Sequence, residues 1–344
     1  MRVVLIGGNG FIGSPLTREL VRAGHQVAML HRGLGSQPEP SAAQHILGDR
    51  NRLSSCEQEI REFRPDAIID LILSSADQAE EVVRVARQLG ARVVAASSMD
   101  VYRAWGVLQG VEPGPLEPMP ITEDSALRSQ RVLYSPEALQ GMQGIFPWLD
   151  ERYDKIAVEE TILGTSEVAG TILRLPMVYG PGDHLGRFLP IWKRMADSRS
   201  AMILSEDFAR WRGPRGYVEN VSHAIAVALS ERAVGRVYNV CQEPCLSELD
   251  WQKQIARHAD WPGRFVVLRK EEMPRHLLIP GNLAQHLVAS SERIRDELGY
   301  EELISIEDAI GRTLAWQASH ASETTISWQQ FDYEAEDRAL SRDA

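Results

Sequence analysis

Arg2-Val3-Val4-Leu5-Ile6-Gly7-Gly8-Asn9-Gly10-Phe11-Ile12-Gly13 opens the chain, and its reading decides the fold. The run from Val3 to Ile6 is apolar throughout, as in a strand buried on both faces of a parallel sheet. After the glycines, Ser14-Pro15 opens a run with Leu16, Leu20 and Val21 at helical spacing, and Gly24 stands where a helix-ending glycine belongs. A second apolar run, Val27 to Leu30, ends in His31-Arg32-Gly33. Strand, glycine loop, helix, strand is the setting in which such glycines carry meaning. Gly7 permits the tight turn, Gly10 lets backbone approach a pyrophosphate, and Gly13 lets the helix pack on the strand. Asn9, Phe11 and Ile12 complete a loop and helix N-terminus that offer amide donors and partial positive charge to phosphates.

Outward from this unit the alternation repeats. A polar, proline-bearing loop (Leu34 to Gln44) precedes a brief strand at His45 to Leu47, which ends at Gly48-Asp49-Arg50. A helical stretch follows from Leu53 to Phe63, then a buried strand from Ala67 to Leu73, a helix from Ala76 to Leu89 and a strand from Arg92 to Ala96. Repeated strand–helix alternation predicts an α/β fold, a Rossmann-type doubly wound parallel sheet with right-handed crossovers. Ligands of such sheets sit beyond the carboxyl ends of the strands. That singles out Gly7 to Gly13, His31-Arg32, Asp49-Arg50, Leu71-Ile72 and Ser97 to Tyr102.

The 344 residues suffice for a large core, and 44% hydrophobic with 25% charged content is ordinary for a globular protein. A formal net charge of −11 gives nonspecific nucleic-acid binding no global electrostatic support. A strand that starts at Arg2 leaves no room for a secretory leader, and no apolar run approaches a membrane span, so a cytoplasmic protein is expected. Three cysteines make no disulfide framework, and Cys241 and Cys245, spaced CxxxC, lack further ligands for a metal.

At Ser97-Ser98-Met99-Asp100-Val101-Tyr102 the chain comes to resemble the NAD-dependent epimerase/dehydratase family, the extended short-chain dehydrogenases/reductases. Leu173-Arg174-Leu175-Pro176-Met177-Val178-Tyr179-Gly180-Pro181-Gly182, Arg215 to Val221 and Val237-Tyr238-Asn239-Val240 match in family order, as do Ser291 to Tyr300 and Thr313 to Trp316. The resemblance implies a dinucleotide-binding domain over residues 1–178, with 217–243 returning to it. A smaller C-terminal α/β substrate domain is expected over 179–316, and an extension over 317–344. It also implies Pro176 beside the cofactor and a homodimer. The long stretch from Val107 to Leu149 reads as irregular and is expected over the active-site mouth.

Family members use a tyrosine in a YxxxK pattern, whose lysine lowers the phenol's pKa from about 10 and binds the nicotinamide ribose. Ser98 fits the hydroxyl residue that holds the reacting oxygen. Lys155 and Glu159 match the family's KxxxE helix, which puts Glu151 at the tyrosine position and Tyr153 only two residues before Lys155. Residues four apart lie about 40° apart on a helix, and residues two apart about 200°. Either Tyr153 sits in a nonhelical entry turn and still reaches the site, or the usual base is absent, with Glu151 a substitute only if desolvated. Ser98, Tyr153 and Lys155 are the catalytic candidates. Asp100, Tyr102 and Arg215 are the substrate candidates, Arg215 matching an arginine that often holds a substrate diphosphate.

Many NAD-using relatives end the second strand in aspartate. Here His31-Arg32 stands instead, and an arginine beside the adenosine ribose suits a 2′-phosphate, which favours NADP over NAD. Met177 replaces the asparagine common in nucleotide-sugar enzymes, and only half of the dehydratases' acidic pair survives, as Asp100. Arg210-Trp211-Arg212 with Arg215 forms a basic-aromatic cluster that either binds an anion or pairs internally, and His184 and Arg187 stand near the pocket edge. The expectation is an NAD(P)-dependent oxidoreductase or epimerase-like enzyme for a small hydroxyl or carbonyl substrate, possessing no metal. The alternatives are a noncatalytic dinucleotide-binding sensor or scaffold, and an RNA-associated relative.

Overall fold

The computed structural model describes residues 1–33, 42–320 and 331–341. The chain runs β1 (Arg2–Ile6), α1 (Gly13–Arg22), β2 (Gln26–His31), β3 (Gln44–Leu47), α2 (Glu57–Phe63), β4 (Ala67–Asp70), α3 (Ala76–Leu89) and β5 (Arg92–Ser98). Next come α4 (Arg103–Gln109), α5 (Pro136–Ile145), α6 (Lys155–Gly164) and β6 (Gly170–Leu175). The second half carries β7 (Met177–Tyr179), α7 (Leu189–Ala196), β8 (Ala201–Ser205), α8 (Glu206–Arg210), β9 (Arg215–Tyr217) and α9 (Val218–Val227). It ends with β10 (Arg236–Asn239), α10 (Glu248–His258), β11 (Arg264–Leu268), α11 (Glu292–Leu298), α12 (Ile306–Ser319) and α13 (Tyr333–Leu340).

Seven strands form one sheet in the order β10-β6-β5-β4-β1-β2-β3, and every pairing is parallel. The order reverses between β1 and β4, so the loop after β1 opens into the crevice where such sheets take ligands. Val3, Val4, Leu5 and Ile6 are all fully buried, because α1 and α9 cover one face of the sheet and α3 and α6 the other. The Thr17 hydroxyl of α1 shares its proton between Gly8 O at 3.1 Å and Gly13 O at 2.9 Å, which seats the helix on its loop. Two small parallel pairs, β8 with β11 and β7 with β9, lie in the C-terminal part.

Four local expectations change. The strand from Ala67 stops at Asp70 rather than Leu73, because the Asp70 carboxylate accepts from Ile72 N at 3.0 Å and turns the chain. The strand from Arg92 runs two residues further, to Ser98. A 3-10 turn at Arg50–Cys56 replaces the start of the helix read from Leu53. The stretch from Val107 to Leu149 is partly helical, through the end of α4 and the whole of α5, which Ser135 caps by accepting from Ala138 N. The loop read from Leu34 lies outside the described residues as far as residue 41. Within the expected C-terminal extension, α13 docks on α7 through Arg194 and Glu336.

A β-carbon at Gly13 would stand 2.1 Å from Gly7 O, inside backbone that has no room to shift, whereas one at Gly141 of α5 would meet nothing within 4 Å. Gly13→Ala is therefore expected to cost about 3 kcal/mol or more by overpacking, and Gly141→Ala to gain up to about 1 kcal/mol from helix propensity. Urea denaturation of the two variants beside the parent checks the contrast.

Candidate active site

β1 delivers the chain to Gly7, whose φ of +85° belongs to glycine and whose added β-carbon would press on Ile72 at 3.1 Å. Gly10 N donates to Gly7 O at 3.0 Å and closes the turn. α1 follows from Gly13 with Ile12 as its N-cap and no side-chain cap, and Ser14 N donates to Gly10 O at 2.9 Å. Gly7, Asn9, Gly10, His31, Arg32, Asp49, Arg50 and Ile72 line one crevice, which Trp148 closes from the opposite side. A glycine cradle against an uncapped helix N-terminus fits a dinucleotide pyrophosphate. Phe11 stands beside this loop, edge-on to His184 at 6.5 Å, while Ile12 and Leu71 pack against the core and Pro176 against Gly216.

The end of β2 carries no carboxylate. His31 Nδ1 accepts from Gly33 N at 3.0 Å and its Nε2 meets His45 Nδ1 at 2.8 Å, which requires a neutral ring with the proton on Nε2. Burial and the neighbouring His45 push its pKa down in keeping with that. Arg32 is exposed and has no ion-pair partner among the described residues. Arg50 is different. Its side chain is buried, its Nε lies 2.8 Å from Asp70 Oδ2, and it donates to Gln78 O. Arg50 thus forms the crevice floor with its charge already matched, and Asp49 spends a carboxylate oxygen on Asn51 N at 2.9 Å.

β5 ends at Ser98, whose Oγ accepts from Asp100 N at 3.2 Å and whose side chain also bonds the Asp100 carboxyl. Asp100 is buried, and Tyr153 donates its hydroxyl proton to Asp100 Oδ2 at 2.7 Å. Tyr153 lies ahead of α6. Asp154 caps that helix by accepting from Ile156 N at 3.0 Å and Ala157 N at 3.2 Å. The 200° separation does not apply, because Tyr153 is outside the helix. Lys155, the first helical residue, is buried and donates to Ala96 O at 3.0 Å and to Leu73 O. Burial pushes its pKa down to about 8. Tyr153 moves the other way: burial and the Asp100 carboxylate hold its phenol well above the usual value. Burial likewise raises Asp100, against the opposing pull of Tyr153 and Arg128. Glu151 is exposed beside Asp77 and Arg152, so it lacks the desolvation a substitute base needs.

Residues 3–126 match the sequence model of the NAD dependent epimerase/dehydratase family. Over those residues the chain is similar to this family. It is 28% identical over 220 residues to 2′-dehydrokanamycin reductase of Streptomyces kanamyceticus, covering 61% of this chain and 53% of that one, about half the relative's length. It is 24% identical over 279 residues to dTDP-4-dehydrorhamnose reductase of Mycobacterium tuberculosis, covering 80% and 81%. The fold matches that of dTDP-glucose 4,6-dehydratase from Bacillus anthracis, solved in complex with NAD, with a TM-score of 0.68 at 16% identity over 94% of this chain and 98% of that one.

Two residues expected to meet substrate have partners within the chain. Tyr102 is fully buried; its hydroxyl donates to Asn239 Oδ1 at 2.6 Å and accepts from Arg174 Nη1 at 2.9 Å, so it braces the sheet instead of meeting substrate. Burial pushes its phenol up to about 12. Arg215 is paired with Glu248 and lies over the Trp251 ring at 4.9 Å, leaving no free charge for a diphosphate. Most of the basic-aromatic cluster is engaged within the chain: Trp211 is buried and donates to Gln285 O at 3.1 Å, and Arg210 meets Glu206 at 3.2 Å, while Arg212 is exposed. Arg187 likewise binds Asp183 at 2.8 Å. Cys241 and Cys245 are free thiols bonded to different carbonyls, and no metal-binding cluster exists among the described residues. No helix of the described residues is long and apolar enough to cross a membrane.

Trp148 and Asp70 escaped the sequence reading. The signal for Asp70 was a lone charge inside an apolar strand run, and for Trp148 an aromatic in a proline-bearing loop.

Lys155 has a sharp pH consequence. Its pKa falls from 10.5 to about 8 on folding, so between those values the unfolded chain binds more protons than the native one. Its contribution is unfavourable below pH 8 and that penalty fades as pH rises. The stability of the parent relative to Lys155→Met is expected to rise by roughly 3 kcal/mol between about pH 7 and pH 10.5. Urea titrations of both proteins across that range check it; a flat difference would count against a buried cation.

Proposed function

We propose that this protein is an NADP(H)-dependent oxidoreductase that reduces a carbonyl on a small, sugar-derived substrate. The observation that carries the reading is the Tyr153 phenol, kept protonated against Asp100 beside Ser98 at the carboxyl end of β5. A phenol with a raised pKa stays protonated at neutral pH, so Tyr153 stands in the form that can give a proton to an oxygen gaining negative charge, as the reductive direction needs. Both curated relatives described above are named as reductases of dehydro compounds.

The bound dinucleotide supplies the hydride. The glycine loop from Gly7 to Gly13 would hold its pyrophosphate, and the exposed Arg32 would meet the 2′-phosphate with no carboxylate at His31 to repel it. Lys155 has three donors, two of them engaged by carbonyls, and the third serves the ribose. Ser98 donates to the substrate oxygen and orients it. As negative charge builds on that oxygen, Tyr153 would give it the proton now shared with Asp100, and the phenolate would regain a proton from solvent after product leaves. The Arg215–Glu248 pair and the packing of Met177 among Trp211 and Phe208 speak against a substrate held by a diphosphate. Residues 179–316 are proposed to supply most of the substrate contacts.

Oxidation of NADPH and NADH, followed by absorbance against a panel of keto-sugars, tests the reading. NADPH is expected to be the better cofactor. Tyr153→Phe is expected to slow turnover at least about 100-fold with NADPH affinity unchanged, and Arg32→Asp to weaken NADPH about 10- to 100-fold while NADH changes less. Turnover that survives Tyr153→Phe would refute the role of the phenol. Dinucleotide binding without turnover of any carbonyl would favour a sensor.

A further inference from the structure

Away from the strand ends, α7, β8, α8 and α10 enclose a second cavity. Met202, Leu204 and Phe208 give it an apolar floor, and Arg194, Gln252 and His276 stand at its polar side. An open corner holding an arginine and a histidine would capture an anion, but this corner is filled from within the chain. Glu336 of α13 is fully buried, with Oε1 2.5 Å from Arg194 Nη2 and 3.0 Å from His276 Nε2. Phe331, just before α13, stacks under the same guanidinium at 5.0 Å. The other charges lining the cavity are also matched, Arg187 by Asp183 and Glu248 by Arg215. Outside the cavity, Arg199 with Asp337 and Tyr333 with Asp197 clamp the helix in place.

We propose that α13 supplies Glu336 as an internal counter-ion that closes this cavity to anions, so that the ligand group seated there is an uncharged polar ring resting on Met202, Leu204 and Phe208. The assignment of the cavity to substrate rests on the reductase reading above; the charge matching by Glu336 does not. A second anion could enter only by displacing a tethered carboxylate that is already desolvated and paired, so phosphorylated ligands are selected against.

Inorganic pyrophosphate is the probe, titrated calorimetrically into the full-length protein with NADP at saturation so that the glycine loop is filled. The parent is expected to bind it feebly. Glu336→Gln is expected to bind it at least about tenfold more tightly, the effect of one released charge-assisted contact, and the double variant Arg194→Gln/Glu336→Gln to lose that gain. Asp337→Asn weakens only the outer clamp, leaves the buried pair in place and is expected to tighten binding by about two- to fivefold. It decides the matter should Glu336→Gln fail to fold. Equal pyrophosphate affinity in the parent and the folded variants would overturn the proposal, as would tight binding by the parent. A pyrophosphate gain in a protein that turns over no carbonyl would sink the reductase reading and leave the counter-ion standing.

Discussion

Between α6 and β6 the buried carboxylate of Glu159 takes the Arg174 guanidinium at 2.7 Å and the Ser97 hydroxyl at 2.5 Å. Arg174 in turn reaches Tyr102 and the carbonyl of Glu123, and Tyr102 reaches Asn239 on the outermost strand. Four elements and a loop are thus locked by one charge pair. Loss of either partner would leave a buried ion uncompensated, a penalty of about 3–5 kcal/mol. Lys155 sits one helical turn before Glu159, so the same pair fixes where its ammonium meets the ends of β4 and β5.

Around that frame, charges of opposite sign alternate through the interior: Arg50, Asp70, Lys155, Asp100, Arg128. Desolvation is the largest influence on Asp70, Asp100 and Lys155 alike. It raises the carboxyls and lowers the amine, which draws their proton affinities toward one another.

The glycine loop, the parallel sheet and the place of Ser98 were legible because each depends on neighbours in sequence: apolar runs, helical spacing, a glycine every third residue. Lys155 and Glu159 were legible for the same reason. Tyr153 was ambiguous because its position turns on whether Asp154 begins the helix, and spacing alone does not tell an entry turn from a first turn. The partners of Tyr102 and Arg215 were not legible because Asn239 and Glu248 are 137 and 33 residues away. Whether an arginine is free or paired is a property of the folded neighbourhood, and local pattern carries none of it.

The loop between α5 and α6 carries Trp148 at one end and Tyr153 at the other. It is stitched to the start of α3 throughout: Gln78 donates to Trp148 O at 3.1 Å, Asp150 N to Ser74 Oγ at 2.9 Å and Asp154 N to Ser74 O at 2.8 Å. One short strut therefore touches the dinucleotide crevice and the proton donor together. Its attachment to the start of one helix along its whole length ties the place of the indole to that of the phenol across six residues of chain.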